Sequence, residues 1–199
     1  MPATLQDLVI EQGKTFVRVV RWETTPIVYK PITAIPQTAP ATLTVTGHGV
    51  PDGRKVAVID VKGMTDINAI NSPPLPSDYH RATVVDVNTI QLNDISAGSF
   101  KPYKSGGSIM YYTPTSLTGF TGRMTIKDRI GGTALATLLN GVGVVVDSSA
   151  KTITITIDAV TTAAYTWTSG VYDLELVSAG GVVTALLSGN VTVTDEVTT

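Results

Sequence analysis

The chain is 199 residues long, 43% hydrophobic and only 15% charged, with a formal net charge of −2 and no cysteine. That composition belongs to an ordered chain able to build one large core or two small ones. It offers no basic field to recruit nucleic acid, and it excludes disulfides, thiolate catalysis, zinc–thiolate sites and iron–sulfur clusters. Low charge leaves a surface rich in Thr, Ser and Gly, which suits a subunit packed among others better than a freely diffusing enzyme.

The opening MPATLQDLVIEQGK has no basic segment followed by an apolar one, so it does not read as a secretion signal. No apolar run approaches the roughly 20 residues that span a bilayer, so membrane insertion is not expected. β-Branched runs then recur along the chain: FVRVVRW (16–22), TLTVT (42–46), KVAVIDV (55–61), ATVVDV (82–87), GRMTIKD (122–128), KTITITID (151–158), GVYDLELV (170–177) and GVVTALLSGNVTVT (181–194). The alternation is clearest at 151–158, where Ile153, Ile155 and Ile157 point one way and Thr152, Thr154 and Thr156 the other. Gly, Asp, Asn and Pro separate the runs at the spacing of an all-β sandwich or barrel. Only DAVTTAAYTW (158–167) predicts a helix, of two turns at most, opened by a capping Asp158.

Two proline-bearing stretches, KPITAIPQTAP (30–40) and YYTPTSLTG (111–119), interrupt this pattern and read as linkers, because proline breaks ladders and fixes extended connections. They predict an insertion: a discontinuous β-sandwich over 1–35 and 113–199, and a small β-barrel over 40–112. The two linkers would run side by side.

Each part carries a resemblance. The outer segments DLVIEQGKTFVRVVRW (7–22), LTGFTGRMTIKDRIGGTALATL (117–138) and the run from Lys151 to Thr198 include a Leu-Thr-Gly turn before an Arg-bearing strand. They also include a G-V-Y-D-L strand at Gly170–Leu174 and a G-x-V-x-V ending at Gly189–Val193. In this order they are similar to the immunoglobulin-like N-terminal domain of the upper baseplate proteins of lactococcal phages. The inner segments TVTGHGVPDGRKVAVIDVKGMTDINA (44–69), RATVVDVNTIQL (81–92) and YKSGGSIMYY (103–112) resemble another module. It is the small β-barrel repeat that phage proteins share with the first catalytic-cysteine half-domain of ubiquitin-activating enzymes. NSPPLPSDYH (71–80) departs from that pattern, and a chain without cysteine cannot run thioester chemistry. The two resemblances imply an immunoglobulin-like sandwich interrupted by an inserted barrel, in the setting of a tailed-phage virion.

Candidate chemistry is sparse. Gly47, Gly49 and Gly53 in LTVTGHGVPDGRKV (43–56) are spaced G-x-G-x-x-x-G, but a strand follows them. A phosphate cradle needs a helix N-terminus there. Asp52 is near His48 in sequence and serines are plentiful, but no G-x-S-x-G elbow or comparable element exists, so Gly47, His48, Gly49 and Gly53 read as structural turns. Asp66 with Asn68, and Asp86 with Asn88, have D-x-N spacing without the glycine and glutamate of a calcium loop. Asp173 and Glu175 share a strand face and read as charges that discourage sheet-to-sheet aggregation at an edge. Trp22, Trp167 and Tyr172 have the spacing of core residues. Tyr79, Phe100, Tyr103 and Tyr112 are the candidate interface or glycan-contact residues; Tyr111, adjacent to Tyr112 on a strand, faces the other way.

The expectation is a non-enzymatic structural protein of a tailed-phage virion, with no catalytic residue, no cofactor and no metal. It would be a tail or baseplate component or a fibre adaptor, homo-oligomeric in the particle, contacting other virion proteins (tail, baseplate, fibre or capsid) and no nucleic acid. It would be made in the host cytoplasm. A capsid decoration or head-fibre protein, and a host-glycan-binding module, are the alternatives.

Overall fold

The computed structural model describes residues 3–196. The strands in chain order are β1 (Thr4–Leu5), β2 (Leu8–Glu11), β3 (Phe16–Val20), β4 (Glu23–Pro31), β5 (Ala41–Thr44), β6 (Lys55–Lys62), β7 (His80–Asp86), β8 (Thr89–Leu92) and β9 (Ser105–Pro114). They continue as β10 (Thr121–Lys127), β11 (Ala134–Asn140), β12 (Gly143–Asp147), β13 (Thr152–Ile157), β14 (Ser169–Val177) and β15 (Val183–Thr194). One short helix, α1 (Ala159–Ala163), precedes β14. The protein is all-β, a sandwich interrupted by an inserted barrel-like unit. No helix among the described residues is long and apolar enough to cross a membrane.

The sandwich unit takes the segments on either side of 23–114. Its nine strands form a curled sheet in the order β1-β15-β14-β10-β11-β12-β13-β3, with β2 also paired to β15. Alternation decides which side chains enter: Ile153, Ile155 and Ile157 of β13 and Tyr172, Leu174 and Leu176 of β14 are buried, their neighbours are not. They meet Met124, Ile126, Val144, Leu187, Val191 and Val193 in one cluster, with Trp22 and Trp167 packed at its margin. Each such buried aliphatic contributes about 1.5–3 kcal/mol. Helix α1 begins where the Asp158 carboxylate accepts the Thr161 N–H at 2.7 Å. The buried Thr162 donates its hydroxyl to the Lys14 carbonyl at 2.8 Å, tying α1 to the β2–β3 turn. Asp173 and Glu175 lie on a central strand, flanked by β10 and β15, and not on an edge. Glu175 is there because Arg123 lies opposite it in register and pairs with it at 2.6 Å.

The inserted unit is Glu23–Pro114. Its six strands run β4-β9-β6-β7-β8-β5, a half-barrel in which the chain just past β4 bridges back to β5 at Ala34↔Thr44. Its core is separate, built from Leu43, Val45, Val56, Val58, Ile90, Leu92, Ile109 and Tyr111 among others. The boundary differs from the one read off the prolines. Residues 23–31, expected in the outer sandwich, form β4 and pair antiparallel with β9 from Glu23↔Pro114 to Pro31↔Ser108. Prolines are tolerated here because β4 is an edge strand, whose outer N–H groups have no ladder to serve. The rest of the first proline stretch is no free linker either, since Ile32 and Ile35 are buried in the insert core. The two expected linkers do not pair with each other: residues 30–32 bond to 107–109, and 111–114 pair with residues of 23–28.

Candidate functional site

The G-H-G turn opens the connection from β5 to β6. Gly47 and Gly49 have φ of +56° and +65°, the left-handed region that glycine enters without steric cost. This turns the His48 ring inward, where only 3% of the residue is exposed. His48 Nδ1 accepts the Val50 N–H at 3.0 Å, so Nε2 carries the proton and donates it to the Asp86 carbonyl at 2.8 Å. The Tyr111 hydroxyl donates to the His48 carbonyl at 2.6 Å, and burial raises the pKa of that phenol. Both ring nitrogens are therefore engaged with backbone, and no carboxylate orients the imidazole. Gly53 closes the next turn at φ +70°. Its N–H donates to the Ala82 carbonyl at 2.9 Å, and a strand follows.

The D-x-N pairs serve as turn fixtures. Asn68 exchanges two hydrogen bonds with the backbone of Val61, at 2.9 and 3.0 Å. Asp86 accepts the Asn88 N–H at 2.7 Å, and Asn88 in turn accepts the Gly47 N–H at 2.9 Å. Among the described residues no three His, Asp or Glu side chains converge as metal ligands. The buried Asp78 of the 71–80 stretch is held by the N–H groups of Leu75 and Ile70 and the Asn71 amide. These donors, Leu75 first, hold its carboxyl below the usual carboxylate range.

The four aromatic candidates divide into two pairs. Tyr79 and Tyr112 stack, with ring centroids 6.2 Å apart and planes inclined by 25°. The Tyr79 hydroxyl is buried with no hydrogen-bond partner among the described residues. Burial first, and then the Tyr112 hydroxyl, push its pKa up to about 12. Phe100 and Tyr103 instead pack against the insert core. The Tyr103 hydroxyl shares its proton between the carbonyls of Ile32 and Gly106, at 3.1 and 3.0 Å. Sequence reasoning missed Tyr29, an exposed residue on the same sheet face as Tyr112, because Ile27 pairs with Tyr112 and Tyr29 with Met110. The period-two pattern Ile27–Tyr29 was the available signal, masked by Pro26 and Pro31.

The sandwich unit holds a groove of about 790 Å³ on the outward face of β10, β14 and β15. The ladder register aligns Thr125, Asp173 and Ser188 in one row and Lys127, Val171 and Asn190 in the next. Asp7 borders them, its carboxylate accepting the Asn190 N–H at 2.8 Å and the Asn190 side-chain amide at 3.1 Å. The segment carrying Asp7 is held down twice. The Tyr172 hydroxyl donates to the Gln6 carbonyl at 2.7 Å, and burial pushes the pKa of that phenol up to about 12. A side chain at Gly189 would lie 2.3 Å from the same carbonyl, so only glycine lets this segment lie so close to β15. No short motif marks this site, because its residues come from four separate strands and turns.

No family model matches the chain, and no curated protein sequence matches it.

Proposed function

We propose that the chain is a structural component of a tailed-phage virion, a tail or baseplate protein or a fibre adaptor that works through protein–protein interfaces. The ordered motifs of both parts support this reading through their resemblance to phage modules. The observation that carries it is a face of the sandwich. Register places Val145 of β12, Thr154 of β13 and Val19 of β3 in one outward row, with Thr156 and Val17 beside them. Val17, Val19 and Val145 are all exposed, and no charged side chain lies in these rows. Depletion of charge is the mark of an interface centre, and β3 is also a sheet edge with backbone groups open to a neighbouring strand. Repetition of the subunit in a particle gives avidity, so modest individual contacts suffice.

Mass spectrometry of purified virions tests the proposal. Recovery of the chain in intact particles, at a copy number matching tail or baseplate proteins, supports it. A copy number matching the capsid would make it a head decoration or head fibre, and absence from intact particles would overturn the reading.

A further inference from the structure

We propose that the groove on β10, β14 and β15 is a carbohydrate-binding site for neutral or amino-bearing glycans. The inference goes beyond the virion reading and does not depend on it. It also moves the sugar contact from the tyrosines of the insert to the sandwich.

Three features of the groove select this ligand class. First, its floor offers side chains only. β14 is hydrogen-bonded on both sides, to β10 and β15, so a peptide cannot add as a strand there. A ligand must be recognised by its own hydrogen-bonding edges and apolar faces. Second, the two cross-strand rows mix donors and acceptors at close spacing: the Lys127 ammonium, the Asp173 and Asp7 carboxylates, the Asn190 amide and the hydroxyls of Thr125 and Ser188. Adjacent sugar hydroxyls donate and accept at once, and carboxylate–amide–ammonium arrays answer that pattern. Val171 lies within the second row, while Leu5 and Ile130, 84% and 92% exposed, stand at the margins to meet the C–H face of a ring. Third, the site is pre-organised: Asn190 fixes the Asp7 carboxylate, while Tyr172 and Gly189 fix its backbone, so less ordering cost falls on binding.

Charge sets the selectivity within the class. The groove presents two carboxylates against one ammonium. An anionic glycan is repelled, a neutral one is accepted, and an amino-bearing one gains an ion pair. The volume of about 790 Å³ lies within the range of small-molecule sites.

The experiment uses the full chain and three probes: maltotriose, a glucosamine trimer and sialyllactose, each titrated into the ¹⁵N-labelled protein while amide shifts are followed. Saturable shifts centred on Lys127, Val171, Asp173 and Asn190 with maltotriose or the glucosamine trimer, and none with sialyllactose, support the proposal. Asp173→Asn, an exposed and nearly isosteric change, then weakens binding about tenfold, as expected for loss of a charge-assisted hydrogen bond. Ile130→Asp, at an exposed position that cannot threaten the fold, weakens it as well, and Tyr112→Ala leaves it unchanged. The proposal is overturned by no saturable shift with either favoured probe, by equal binding of sialyllactose, by shifts centred on Tyr79 and Tyr112, or by undiminished affinity in Asp173→Asn.

Discussion

The hydroxyl of Tyr111, on β9, donates to the backbone carbonyl of His48 at 2.6 Å and so locks the G-H-G turn to the far side of the insert sheet. The bond is buried, and its loss leaves an unsatisfied carbonyl. Tyr111→Phe is therefore expected to cost about 1–3 kcal/mol. His48→Ala removes two further hydrogen bonds and leaves a void, and its cost should be larger, about 2–4 kcal/mol. Both tryptophans lie in the sandwich, whereas Tyr29, Tyr79, Tyr103, Tyr111 and Tyr112 lie in the insert. Five of the seven tyrosines report on the insert, so the near-ultraviolet tyrosine circular dichroism should move to a lower urea midpoint, and tryptophan emission should stay at its wild-type midpoint.

A second buried contact in the insert is ionic. Arg54 is 1% exposed and donates to the Glu23 carboxylate at 2.8 Å. Removing the acid weakens the compensation of a buried cation, so Glu23→Gln should destabilise the insert by about 1–3 kcal/mol, with part of the buried-pair penalty relieved because Glu23 is half-buried. The double variant Glu23→Gln, Arg54→Met removes the cation too and should recover part of that loss. A double variant less stable than the sum of the singles would contradict this account.

Alkaline pH should loosen both units. Tyr79 and Tyr172 have pKa values pushed up to about 12 in the fold, against 10.0 for an ordinary tyrosine. Above pH 10 the unfolded chain gives up these protons and the folded chain keeps them. The stabilisation is thus complete below pH 10 and is lost as pH rises toward 12. Absorbance at 295 nm should show late-titrating tyrosines, and urea midpoints should fall across the same window. Tyr79→Phe should lessen the fall for the insert, and Tyr172→Phe for the sandwich.

Charge placed on the Val17–Val19–Val145 face should separate assembly from folding. Val17→Asp and Val145→Asp replace exposed side chains, so unfolding midpoints should move by no more than about 0.5 kcal/mol. Incorporation into particles, or self-association measured by sedimentation, should fall sharply. Wild-type incorporation of both variants would show that another surface makes the contact.

The strands and the inward residues of the sandwich were legible because alternation in segments such as 151–158 and 170–177 is strict. The turn at His48 was legible too, since the flanking glycines permit the positive φ that the turn takes. Strand β4 was not legible, because proline is read as a breaker unless one knows that the strand lies at an edge. Asp173 was assigned to an edge for a related reason: sequence shows which face a residue takes, not how many neighbours its strand has. The groove could not be seen at all, as Lys127, Asp173, Asn190 and Asp7 meet only through ladder register.

The chain enters and leaves the insert at directly paired residues, Glu23 and Pro114, and the flanking Thr115 N–H donates to the Trp22 carbonyl at 3.0 Å. Paired backbone positions lie about 5 Å apart, a gap that a two-residue glycine turn spans. The insert is thus a cassette. Excising 23–114 with such a turn should leave an uninterrupted sandwich whose groove is intact. The same paired stem could receive a different domain in place of residues 23–114, a plug-in point built from two hydrogen-bonded backbone positions.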